Sequence, residues 1–123
     1  MWFIPYNVPS SKNSKQFVRT AKGPRLVHSK VTARYIRKTD EYYWVHGLSF
    51  KKAVKDLKPP YKLAFEFRRD SKRKFDYINA AQIVQDMMVK HKWIEDDNCD
   101  FLLPIFLPYL VDKNNPGVKI TLL

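Results

Sequence analysis

Only 12 of the 123 residues are acidic, and four of them bracket one segment: Asp76 at its start, then Glu95, Asp96 and Asp97 at its end. The chain carries 23 Lys plus Arg and a formal charge of +11. Carboxylates grouped beside a basic run in such a chain repel the phosphates that the basic residues attract, unless a divalent cation lies between them. Carboxylate and amide oxygens suit Mg²⁺, with Mn²⁺ as the other candidate. The chemistry such a cation serves is phosphodiester hydrolysis, because it lowers the pKa of an attacking water and neutralises charge on the phosphate and the leaving oxygen. The same residues have a plainer use: Asp76 can cap a helix, and Glu95-Asp96-Asp97 can form an exposed polar turn after Trp93.

The elements that must position these acids follow from periodicity. Residues 76–91 fit a helix on which Tyr77, Ala81, Val84 and Met88 make an apolar stripe, while Asp76, Asn79, Gln82, Asp86 and Lys90 gather on a polar arc. Upstream, Tyr61 to Phe67 alternates with period two and reads as a half-buried strand. It runs into Arg68-Arg69-Asp70-Ser71-Lys72-Arg73-Lys74, five positive charges in seven residues.

Residues 1–8 read as a short strand, stopped at Pro9. From Pro9 to Pro24 the composition is that of an exposed basic loop, with room for a short hairpin, carrying Lys12, Lys15, Arg19, Lys22 and Arg25. Ser29 is a good N-cap, and Val31, Tyr35, Tyr42 and Val45 share one face of a helix over about 30–46. Gly47 offers a stop or kink, and Phe50 to Leu57 forms a second helical piece ended by Pro59-Pro60. Strands at about 101–111 and 117–122, joined by the turn-forming Asp112 to Gly117, read as a terminal hairpin. The order predicts a small α/β (α+β) domain over 1–123: one mixed sheet with two main helices packed on it.

Composition excludes several classes. The single cysteine, Cys99, closes no intramolecular disulfide, and with three histidines there is no Cys/His set spaced for zinc. No stretch has the ~20 apolar residues of a membrane span, the N-terminus lacks a secretory pattern, and a reducing, cytoplasmic setting is the expectation. An isoelectric point of about 9.8 points to a polyanionic partner. His28, His46 and His91 are too dispersed for a ligand set. Trp93, Phe101, Phe106 and Tyr109 read as core, whereas Phe17, inside the basic loop, reads as a wedge able to unstack a base.

Taken as a string, the sequence resembles the RusA-type Holliday junction resolvases over most of its length. Val8-Pro9-Ser10-Ser11-Lys12-Asn13 is similar to the family's proline-serine-asparagine loop after the first strand, and Val27-His28-Ser29-Lys30 through Tyr35 and Arg37 to the opening of its first helix. Arg73-Lys74-Phe75-Asp76-Tyr77-Ile78-Asn79, continued through Asp86 to Trp93-Ile94-Glu95-Asp96-Asp97, resembles the family's Asp-x-Asp-Asn motif, its helix, and its aromatic followed by Asp-Asp.

The resemblance implies a Mg²⁺-dependent, structure-selective endodeoxyribonuclease of recombination and repair, of phage or prophage type. Acting as a homodimer, it nicks four-way DNA junctions. Residue by residue it implies Asp76, Asp96 and Asp97 as catalytic acids, these with Asn79 as metal ligands, and Asp86 as a supporting acid. Lys12, Lys15, Arg19, Arg68, Arg69, Lys72, Arg73 and Lys74 are the implied DNA contacts, holding phosphates with little base reading. Two positions depart from the motif: Ile78 stands where the second Asp belongs, and Gln82 where the helix carries a Lys. The alternative is therefore a weakened relative that binds branched DNA without cutting it.

Overall fold

The structure, a computed structural model, describes residues 1–10 and 15–123 and, for 15–18 and 26–28, the backbone alone. The chain runs β1 (Trp2–Pro5), β2 (Lys15–Thr20), β3 (Gly23–His28), α1 (Lys30–Ala53), β4 (Tyr61–Arg69), α2 (Tyr77–Lys90), β5 (Leu102–Phe106), β6 (Leu110–Val111) and β7 (Gly117–Leu122). The main sheet has the order β1-β7-β4-β5, with β6 also pairing β4; β2 and β3 form a separate antiparallel hairpin. This is the expected mixed sheet with two main helices. The room for a hairpin in the basic loop is filled by β2 and β3, while Lys12 lies outside the described residues.

β4 is the spine. It pairs antiparallel with β7 on one edge and parallel with β5 and β6 on the other. The parallel pair needs a crossover, and α2 supplies it. Leu63, Phe65 and Phe67 of β4 are fully buried with Ile4, Val118 and Ile120 from β1 and β7.

The expected terminal hairpin does not form. Arg68 pairs with Leu110 on one side and Gly117 on the other, so the connection between β6 and β7 passes around the end of β4 instead of folding two strands together. The predicted strand 101–111 is divided between β5 and β6 by the gap that holds Pro108, while Pro104 sits within β5 on the sheet's outer edge, where a missing N–H is tolerated.

The two expected helical pieces are one. The hydroxyl of Ser29 accepts from Thr32 N at 3.3 Å and caps α1, which continues through Gly47 to Ala53, with Lys51 and Lys52 in its last turn suiting the helix dipole. Its inward face is Thr32, Tyr35, Thr39, Tyr43, Gly47 and Phe50, whereas Val31, Tyr42 and Val45 are exposed. The hydroxyl of Thr39 donates to Tyr35 O at 2.7 Å, and the hydroxyls of Tyr35 and Tyr43 pair at 2.8 Å, so the polar atoms of this face are satisfied inside. Burial pushes both tyrosine hydroxyls above their ordinary pKa and keeps them protonated.

Gly47 is a seat, not a stop. The indole of Trp93 donates from Nε1 to Tyr43 O at 2.7 Å and stacks on Phe50 with ring centroids 5.1 Å apart. A Cβ at position 47 would lie 2.7 Å from Trp93 Nε1 and 2.9 Å from Cδ1. α2 then ends in a Schellman motif: Trp93 N donates to Met88 O at 2.9 Å and Lys92 N to Val89 O at 3.1 Å, with Lys92 at φ 61°. Beside this end, Asp40 of α1 accepts from Lys90 Nζ at 2.9 Å and His91 Nε2 at 2.8 Å.

Two outcomes follow from the packing of α1 on α2. Gly47→Ala, which in an exposed helix gains about 1 kcal/mol, should instead lower stability by about 1–3 kcal/mol because the indole cannot move aside; urea unfolding measures it. The hydrogen bonds from Lys90 and then His91 hold the Asp40 carboxyl below its usual range. Its stabilisation is therefore present above the ordinary carboxylate pKa and lost as pH falls through the lower folded value. Asp40→Asn should cost no more than about 1 kcal/mol near neutrality for so exposed a pair. In a pH series of unfolding curves, that gap from wild type should close in acid.

Candidate functional site

Phe75 and Tyr77 flank Asp76 and anchor it from both sides. The ring of Phe75 meets Tyr77, Tyr109 and Phe67 at 4.9, 5.2 and 6.0 Å, and the ring of Tyr77 stacks on Phe106 at 5.9 Å. The Tyr77 hydroxyl accepts from Tyr109 N at 2.9 Å. Asp76 itself is exposed at the N-cap of α2, where its Oδ1 accepts from Ile78 N at 2.9 Å. The plainer reading of Asp76 as a cap is thus realised in the structure, and it leaves the carboxylate facing solvent.

The chain entering the basic hairpin meets the chain leaving β4 at this same end of α2. Asn79 Nδ2 donates to Ser10 O at 3.3 Å, Asp70 N donates to Asn7 Oδ1 at 3.1 Å, and Arg69 Nη1 donates to Val8 O. The arrangement sets residues 7–10, the N-terminus of α2 and the head of the 70–74 segment side by side. Lys72, Arg73 and Lys74 are exposed, as are Arg19, Lys22 and Arg25 near the hairpin tip.

Two of the expected DNA contacts are placed otherwise. β4 extends through Arg69, and its alternation puts Arg69 on the same inward parity as Phe65 and Phe67. Arg69 is 8% exposed, its guanidinium lies 4.4 Å from the Phe75 ring centroid, and burial lowers its pKa against the opposing charge of Asp70. Arg68 pairs with Glu66 at 3.1 Å and lies over the Phe3 ring. Both arginines serve the sheet, and the cations presented to solvent begin at Lys72. Only the backbone of Lys15 is described.

At the other end of the site, Trp93 fixes the exit from α2, and the next residues fold back along its polar face. Gln82 Nε2 donates to Asp86 Oδ1 at 2.8 Å and to Asp97 Oδ2 at 3.4 Å, so one carboxamide spans two carboxylates. Asp96 organises the loop: its Oδ1 accepts from Asp97 N at 2.8 Å and its Oδ2 from Asn98 Nδ2 at 3.1 Å. Asp76 and Gln82 are six residues apart, about 9 Å along the helix axis.

Among the described residues, no three His, Cys, Asp or Glu side chains converge to hold a metal ion. The expected trio Asp76, Asp96 and Asp97 is therefore not a closed set; the acid brought beside Asp97 is Asp86, through Gln82. By donor type these residues fit a hard cation, since Mg²⁺ is commonly held by one or two carboxylates, with water and substrate phosphate supplying the rest. Ile78, in the position of the absent acid, is 70% exposed.

No protein-family model matches the chain. No curated protein matches it either. The site is accordingly read from its own geometry: carboxylates along one face of α2, exposed cations gathered at its N-terminus, and an aromatic cluster holding the two in register.

Because Asp76 both caps α2 and carries charge, two substitutions separate the roles. Asp76→Ala should lower stability by about 1 kcal/mol through loss of the cap, whereas Asp76→Asn, an equally good cap, should leave it nearly unchanged. Thermal unfolding of the pair checks this and establishes Asn as the replacement for tests of chemistry.

Proposed function

We infer that the chain is a metal-dependent endodeoxyribonuclease acting on branched DNA, of the kind that its resemblance to the RusA-type resolvases implies. The observation that carries this reading is the placement of Asp97 against the polar face of α2 beside Asp86. The same helix has Asp76 at its N-terminus next to the exposed Lys72, Arg73 and Lys74. Exposed cations bring the phosphodiester backbone to the helix end, and the carboxylates alongside are the ligands for Mg²⁺ or Mn²⁺. The bound cation supplies charge neutralisation on the phosphate and a more acidic water. The residues of the chain orient the strand: Asn79 ties the backbone of Ser10 to α2, and Gln82 holds the Asp97 side chain toward Asp86. A homodimer suits a junction of two-fold symmetry, with one site for each opposed strand.

A second reading is favoured by two particular residues. Ile78 offers no oxygen, and Gln82 is neutral where a cation assisting the phosphate is expected, so a protein that binds branched DNA without cutting it also fits. No described helix is long and apolar enough to cross a membrane.

The deciding experiment incubates the protein with a labelled four-way junction and a matched linear duplex in Mg²⁺, Mn²⁺ or EDTA. The nuclease reading expects metal-dependent nicks confined to the junction, with Asp97→Asn and Asp76→Asn losing more than about 100-fold in rate while junction binding persists. Tight junction binding without nicks in either metal, and nicking that appears only in Ile78→Asp/Gln82→Lys, would establish the binding reading. Absence of junction binding would remove both.

A further inference from the structure

Asp40, Trp44, Leu48 and Lys51 follow one another at helical spacings and share one outward face of α1. Trp44 is 56% exposed, while Trp2 and Trp93 are buried at 6% and 3%. Facing it, the end of α2 brings up Lys90, His91 and Lys92, which with Trp44, Leu48 and Lys51 line a cavity of about 210 Å³. Asp40 at the rim partners Lys90 and His91. Lys51 and Lys92 make no ion pair among the described residues.

An exposed indole ringed by lysines is ill suited to a second copy of this +11 chain, whose charge would oppose the approach. It suits a ligand that has both an anion and a flat aromatic face. Lys92 sharpens the point. It holds φ 61° at the helix end, where glycine is free of the roughly 1 kcal/mol that a side chain costs in that conformation. Lys92 also lines a neighbouring cavity of about 490 Å³ with Tyr61, Phe101 and Glu95, the residue preceding Asp96. The groove thus leads from Trp44 past Lys92 toward the acidic loop.

We propose that this groove binds a single-stranded nucleic-acid segment, with a base stacked on Trp44 and its flanking phosphates on Lys51 and Lys92. A single strand is specified because only an unpaired base offers its face to an indole, and stacking of this kind is indifferent to sequence. The proposal rests on the nucleic-acid reading above but not on cleavage, and it assigns an unpaired strand, as distinct from the duplex arms of a junction, to the side of the molecule where α1 and α2 meet.

Trp44 is the one exposed indole, so its emission reports the groove directly. The full chain is titrated with a short fluorescent oligothymidylate, read by anisotropy, and with an unlabelled one, read by tryptophan emission. The groove predicts quenching in wild type that disappears in Trp44→Phe, and affinity about tenfold or more weaker in Trp44→Ala. In Lys51→Gln/Lys92→Gln the slope of log K against log salt should flatten by about 0.7 per lysine. Lys92→Gly should raise the unfolding midpoint and yet weaken binding, a pairing of signs that a merely structural lysine would not give.

Unchanged oligonucleotide affinity in Trp44→Ala and Lys92→Gly would overturn the proposal. So would a shift of Trp44 emission with protein concentration in the absence of DNA, which marks self-association. A wild type that binds junction and duplex but not the oligonucleotide sinks the groove and leaves the nuclease reading standing. Binding through Trp44 by a protein that never nicks a junction does the reverse.

Discussion

The contact on which the rest depends is the seating of the Trp93 indole on Gly47. A buried ring that donates to Tyr43 O and stacks on Phe50 permits one rotation of α1 about its axis, the one that turns Gly47 toward α2. That choice buries threonines and exposes Val31, Tyr42 and Val45, a trade that burial of apolar area alone would not make. It holds because the hydroxyls it buries bond to one another or to the backbone. The same ring fixes the direction of the chain beyond α2, and so fixes where Asp96 and Asp97 come to lie.

A second device holds the opposite end of α2. Arg69 enters the interior with its charge intact, satisfied by the Val8 carbonyl and the face of Phe75. Phe75 in turn packs against Tyr77 and Tyr109. A flexible cationic segment would normally be free to move with its ligand; here both neighbours of Asp76 are clamped by aromatic packing. The exposed cations from Lys72 to Lys74 and the Asp76 carboxylate are thereby held in one frame, the preorganisation that the proposed chemistry at a phosphodiester would require.

Much of this was legible in the sequence, because it rests on local signals. The helix over 76–91, its apolar stripe and its Asp76 start follow from period and capping, and the strand from Tyr61 follows from alternation. The buried face of α1 was not legible, since Thr32, Thr39 and Gly47 are selected by partners far along the chain. The end of β4 was hidden for a different reason: charge at Arg68 and Arg69 suggested contacts to DNA, but the parity of Phe65 and Phe67, continued two residues further, already pointed Arg69 inward. The pairing of 117–122 was equally hidden. Turn composition at Asp112 to Gly117 fits a reversal, yet nothing in it tells that the reversal wraps around a third strand. Of the site, residue types and segments were readable, while the bridge from Gln82 to Asp86 and Asp97 depends on how the chain turns after Trp93.

The position of β7 bears on how the protein is made. β7 inserts between β1 and β4, so the first strand of the sheet has no partner until the last one exists. Until β7 pairs, the backbone edge of β4 along Leu63 to Arg68 stands open, and β1 has no ladder to join. A chain that lacks Gly117–Leu122 therefore has an unpaired strand edge beside an apolar face, the kind of surface that recruits other strands. Pairing of β7 satisfies both neighbours at once, so β1 and β4 are joined in one sheet only through it.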